Sequence, residues 1–102
     1  MGDRISISFI NGEDESVAFF SHWTGMDLVR SANSYVEELN IRVPIATTFP
    51  LERREPSVVM VDFIRWYFQD DAKRRVMSGY RLEQDSLKGD NSDNGHHKIR
   101  LR

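Results

Sequence analysis

The 102-residue chain contains no cysteine. Disulfides, thiolate metal sites and a cysteine nucleophile are therefore excluded, and a reducing compartment is natural. Proline is scarce as well. All three prolines fall within residues 41–56, which marks that stretch as a long connection, because Pro44 argues against a central strand. Apolar runs near ~20 residues are missing, so neither a membrane span nor an export leader is expected, and the chain reads as cytoplasmic. Charge of one sign is missing too. The formal net charge is −2, with three Arg against seven Asp/Glu in residues 1–50 and eleven Lys/Arg against nine Asp/Glu in residues 51–102. A nucleic-acid-binding domain usually carries a stronger basic excess than this. Gly-rich phosphate loops and a nucleophile elbow are also absent.

What is present is enough for one modest core. Hydrophobic residues make up 39% and aromatics 11%, and large rings supply much buried area per residue. A domain of this size is expected to be stable by roughly 5–10 kcal/mol. Residues 1–102 are read as a single α+β domain.

Arg4-Ile5-Ser6-Ile7-Ser8-Phe9 alternates, with Ile5, Ile7 and Phe9 on one face and Arg4, Ser6 and Ser8 on a wet one. Asn11-Gly12 supplies a hairpin turn. Ser16 to Phe20 then returns as a second strand with Val17 and Phe19 inward. Thr24 stands three residues before Asp27 and offers a capping-box start to a helix over 26–39. That helix shows Leu28, Val29, Ala32, Tyr35, Val36 and Leu39 as an apolar stripe, and Asn40 closes it. In the connection, Ile45, Phe49 and Leu51 are expected to reach the core. Pro56 suits the first turn of a second helix running from 57 to 76, with Val59, Met60, Phe63, Ile64, Tyr67 and Phe68 buried. Strand patterns return at Tyr80–Asp85 and at Lys98–Arg102. The expected fold is ββααββ, an antiparallel sheet with two helices packed on one face. The last two strands are read as a hairpin closed by a flexible polar loop over 86–97. The other reading is a disordered tail from about residue 86 onward.

The candidate chemistry centres on the corner Phe20-Ser21-His22-Trp23-Thr24-Gly25. A histidine beside a serine suggests a general base, yet neighbours on an extended segment point apart, and no third partner is evident. The plainer reading is a structural latch, in which His22 bonds a backbone carbonyl and Trp23 packs under a helix. Lys73, Arg74 and Arg75, with Lys98, Arg100 and Arg102, offer an anion-binding face. Asp70-Asp71 dilutes it, and Glu83 and Asp85 are expected to pair with the last strand. Glu37-Glu38 and Asp70-Asp71 cannot form shared-proton dyads, because adjacent helical positions diverge by about 100°. Asp90 to Gly95 begins like a calcium loop, but position twelve is Leu101 rather than Glu. His96-His97 lacks spaced companion ligands. No metal or cofactor is expected.

The corner run Phe20-Ser21-His22-Trp23-Thr24-Gly25 after a hairpin resembles a group of small, functionally uncharacterised prokaryotic and phage-encoded proteins. Arg54-Glu55-Pro56-Ser57 before a helix and Gly79-Tyr80-Arg81 before a strand follow the same layout. Here Glu55 stands where that group usually has Asp, and Thr24 where Gly is frequent. The resemblance implies the fold and a microbial or mobile-element origin, without an activity.

The expected function is a non-catalytic interaction module that binds a partner protein, with homodimerisation through an edge strand as one form of it. The alternatives are a small ligand-binding or hydrolase-like protein using His22 and Trp23, and a weak nucleic-acid binder using the basic second half.

Overall fold

A computed structural model describes residues 2–42 and 55–101. The expectation for Ile45, Phe49 and Leu51 lies outside the described residues. The first strand, β1 (Ile5–Asn11), turns back at Gly12, whose φ of 63° is a left-handed conformation that suits glycine. The return strand comes in two pieces, β2 (Asp14–Glu15) and β3 (Ala18–Ser21). Ile10 faces Glu15, whereas Ile7 faces Phe19, so the return strand holds one extra residue between these pairs. That is a β-bulge at Ser16–Val17. It is stitched to β1 by Ser16 N–H donating to the Phe9 carbonyl and by Phe9 N–H donating to Ser16 Oγ, both at 2.9 Å.

Helix α1 spans Asp27–Arg42, beyond the expected stop at Asn40. Its expected capping box does not form. The Thr24 hydroxyl instead donates to Ser21 Oγ at 2.7 Å, and the Asp27 carboxylate pairs with Arg30. The second helix is shorter than its apolar pattern suggested. Helix α2 runs Pro56–Tyr67, and a separate turn, α3 (Asp71–Arg74), follows. Asp70 causes the break by capping the new turn, its side chain accepting from Ala72 N–H at 2.9 Å. A 3₁₀ turn over Met77–Gly79 then leads into β4 (Tyr80–Glu83).

The α+β architecture agrees with the sequence reading, with one change of pairing. The last strand, β5 (His96–Arg100), does not form a hairpin with β4. It lies parallel to β1, with Ile7 opposite His97 and Phe9 opposite Ile99. β4 pairs antiparallel with β3, Phe19 opposite Leu82. The sheet order is therefore β5-β1-β3-β4, with β2 extending the hairpin beside β1. β4 and β5 occupy opposite edges, so the expected Glu83 and Asp85 pairs with the last strand are not made. Glu83 pairs with Arg81 on its own strand, and Lys98 reaches Glu15.

Ile5, Ile7, Phe9, Phe19, Ile99 and Leu101 form the sheet side of the core. Leu28, Ala32, Tyr35 and Leu39 from α1 meet them, with Val59, Met60, Phe63 and Tyr67 from α2. Rings dominate the centre. Phe63 lies edge-on to Phe9 and Tyr35, each with centroids 5.4 Å apart.

The opposite face of the sheet is not wet. The chain leaves β4 at one edge and must reach β5 at the other, so residues 84–95 cross the sheet as a strap. Beneath it, Ser6 and Ser8 are fully buried, and Ala18 and Phe20 nearly so. The polar segment 86–97 thus has specific contacts. Asn91 Nδ2 donates to Ser6 Oγ at 2.8 Å, and Arg4 pairs with Asp90 and Asp93. Gly89 lies against the ring of Phe20.

Candidate functional site

The corner after β3 is built by backbone bonds from three separate segments. His22 N–H donates to the Gly79 carbonyl at 2.8 Å, and Asp3 N–H donates to the His22 carbonyl at 2.8 Å. Gly25 N–H donates to the Asp3 carbonyl, with Gly25 at φ 54°. A side chain at Gly25 would collide with the Asp3 carboxylate as well as straining the backbone. Phe20 is buried under the strap, while Ser21 is buried and bonded by Thr24. The corner is a latch in its backbone.

Its side chains differ from that expectation. Trp23 does not pack under a helix. It is 54% exposed and lies across Gly79, while the His22 ring meets it edge-on at 5.1 Å. The missing Cβ of Gly79 leaves the space that the ring occupies on the surface. Met26, Val76 and Met77, all exposed, sit a few residues from Trp23 or Gly79 along the chain.

This seating makes a prediction. Gly79→Ala would drive a Cβ into the outer edge of the Trp23 ring. Because that ring is half exposed, it is expected to swing away at a cost below about 1 kcal/mol. Trp23 emission should shift to longer wavelength while the thermal midpoint changes little. A large loss of stability would show that the indole is held rigidly.

Beside the ring is a cleft of about 300 Å³ lined by Phe20, His22, Ser78, Tyr80, Arg81 and Asp90, among others. The hydroxyl of Ser21 is occupied by Thr24 rather than aimed at His22. The sequence neighbours thus do not combine as nucleophile and base.

The basic trio is dispersed by its acidic neighbours. Lys73 lies over the Tyr67 ring at 4.1 Å and 4.0 Å from Asp70. Arg74 and Arg75 share Asp71, at 2.7 and 3.4 Å. Pairs of this kind keep the surface nearly neutral, although each contributes little to stability. The Tyr67 phenol below Lys73 is pushed well above its ordinary range by burial and by its bond to the Tyr80 hydroxyl.

Sequence reasoning missed a second constellation under the strap. His96 stands between two buried serines, with Nδ1 2.7 Å from Ser6 Oγ and Nε2 3.0 Å from Ser8 Oγ. The Ser8 hydroxyl donates to Glu15 at 2.5 Å, and Lys98 lies 3.5 Å from the same carboxylate. Ser8 holds Glu15 below the usual carboxylate range, whereas burial pushes the His96 imidazolium down, with Glu15 opposing. An adjoining cleft of about 310 Å³ is lined by Glu15, Gln84, Asp85, Ser86 and His96, among others. The i, i+2 spacing of Ser6 and Ser8 was visible in the sequence. Their partner was not, since it depends on parallel pairing of two strands some ninety residues apart.

Among the described residues no group of three His, Asp or Glu side chains is arranged to hold a metal ion. Asp90 and Asp93, which resembled a calcium loop, hold the Arg4 guanidinium instead. Among the same residues no helix is long and apolar enough to cross a membrane. No protein-family model, curated protein or solved structure matches the chain.

Proposed function

We propose that this protein is a non-catalytic interaction module, of microbial or mobile-element origin, that binds a partner protein through the Trp23 corner. The observation carrying this reading is the 54% exposure of Trp23 on a rigid backbone junction. Tryptophan leads the residues that dominate binding energy at protein interfaces, because it buries a large area at little conformational cost. Met26, three residues on, and Met77, two residues before Gly79, are exposed as well and offer adaptable apolar surface. The basic residues Lys73, Arg74 and Arg75 are paired with Asp70 and Asp71 and do not build a strong field. That balance weighs against nucleic acid as the partner.

A second reading rests on the cleft of about 300 Å³ beside the indole. Its Arg81 and His22 suit a small anionic ligand, with Phe20 and Tyr80 as aromatic lining and Asp90 on the same wall.

Trp23→Ala separates binding from folding. Half-exposed, the ring is expected to contribute about 1 kcal/mol or less to stability, so the thermal midpoint should stay close to wild type. Partner retention should fall about thirtyfold, the equivalent of about 2 kcal/mol for an interface anchor. The measurement compares wild type and variant by quantitative affinity capture from microbial lysate, with light scattering to detect self-association. Equal capture and equal mass for both proteins would remove the corner as the binding surface. Loss of a small-molecule chemical-shift response without any loss of protein capture would favour the cleft.

A further inference from the structure

The strap over residues 84–95 is attached almost entirely by polar groups, and one of those it meets is the imidazole of His96. Asn91 Nδ2 donates to Ser6 Oγ at 2.8 Å, and Ser6 Oγ lies 2.7 Å from His96 Nδ1. On the other side of the ring, Nε2 lies 3.0 Å from Ser8 Oγ, whose proton goes to Glu15. For a neutral imidazole these directions leave a single arrangement. Ser8 spends its proton on Glu15, so it must accept from His96 Nε2–H. Ser6 accepts from Asn91, so its own proton is free to go to an unprotonated Nδ1. The neutral Nε2–H tautomer of His96 thus completes one chain of donors from Asn91 to the Glu15 carboxylate.

We propose that His96 is a proton-operated lock that fastens the strap to the sheet when neutral and loosens it when charged. A proton on Nδ1 turns that atom into a donor facing Ser6. The Ser6 hydroxyl then meets donors from both Asn91 and His96, and its own proton loses its acceptor. Because Ser6 is fully buried, water cannot take up that proton without opening the site. The group that can yield is Asn91, which belongs to the strap. Opening there uncovers Ala18 and Phe20, otherwise buried on this face of the sheet.

The charges around the ring set the pH window. Glu15 of β2 lies 3.5 Å from Nε2 and favours the imidazolium, while Lys98 and His97 of β5 oppose it. Asp85, from the chain after β4, lines the same cleft. At the far end of the strap, Arg4 bonds hold Asp93 below its ordinary range, and Ser92 does the same for Asp90. Those carboxylates and Glu15 stay charged through mild acid. Burial disfavours protonation of His96 in the folded state, so the unfolded chain binds more protons below about pH 6.5. Stability is full above that pH and is lost as the pH falls toward the folded-state value.

Amide hydrogen exchange of the whole chain between about pH 7.5 and about pH 5, corrected for intrinsic rates, tests the lock. Protection of strap amides over 86–95 is expected to fall about tenfold or more while β1 and α2 stay protected. In His96→Gln, which cannot charge, the strap should show no such acid step. In His97→Gln the step should remain, although His97 Nε2 also touches the strap at the Asn94 carbonyl. Nitrogen-15 shifts of wild-type His96 provide an independent readout should His96→Gln fail to fold, and are expected to report the Nε2–H tautomer at neutral pH. An Nδ1–H tautomer would overturn the proposal. So would a strap that stays protected while His96 titrates, or an acid step that survives in His96→Gln.

Discussion

Phe63→Ala is expected to lower the unfolding free energy by about 3–5 kcal/mol, the usual cost of emptying a fully buried phenylalanine site. Phe63 is fully buried and touches rings from every layer of the core. Its neighbours are Phe9 on β1, Phe19 on β3, Tyr35 on α1, and Trp66 and Tyr67 on its own helix. Removing the ring leaves a hole bounded by both helices and the sheet. Those elements are tied by hydrogen bonds and cannot close on it. A small domain holds only about 5–15 kcal/mol in total, so the variant should be close to unfolding at ordinary temperature. Urea denaturation followed by circular dichroism measures this directly, with a lower midpoint and an unchanged slope. A loss below about 1 kcal/mol would mean that Phe63 is not central to the core.

Gly89→Val is expected to cost about 1–3 kcal/mol, through crowding rather than backbone strain. The backbone at Gly89 is extended, with φ −123° and ψ 175°, a conformation open to any residue. What excludes a side chain is the ring of Phe20, into which a Cβ at this position would project. Phe20 is 3% exposed between the sheet and the strap, so moving its ring aside would uncover buried apolar surface. The strap is expected to lift instead. Hydrogen exchange should therefore rise over residues 86–95, more than in β1 or α2. The comparison with Gly79→Ala is instructive, because the two glycines meet aromatic rings at similarly close range. Trp23 is 54% exposed and Phe20 3%, so the costs of displacing the two rings should differ. Equal losses for the two variants would contradict this dependence on burial.

The elements that were legible in the sequence are those whose signals are local. Alternation from Ile5 to Phe9 revealed β1 and its core face, and Asn11-Gly12 revealed the turn. The spacing of Val59, Met60, Phe63 and Tyr67 revealed the buried side of α2. The same logic misplaced the end of that helix. A continuing apolar pattern hid the capping preference of Asp70, which starts a new turn. Ser6 and Ser8 alternated as a solvent face should, and were read as one. They are buried because a polar strap, not an apolar layer, covers them. A hydrogen-bonded cover leaves no hydrophobic period to detect.

The corner from Phe20 to Gly25 shows the division most clearly. Its composition announced a junction where a strand ends and a helix begins, and the backbone bonds from Asp3 and to Gly79 make it one. Whether Trp23 points into the core or out of it was not a property of the corner. It depended on Gly79 arriving beside β3 with no side chain, and so on β4 pairing there. Local sequence determined the strands, the helices and the aromatic core. Tertiary structure decided the parallel seat of β5, the strap it requires, the half-buried His96 and the exposed Trp23. Strand pairing across the chain depends on which edges remain open after the core closes. No window of neighbouring residues carries that information.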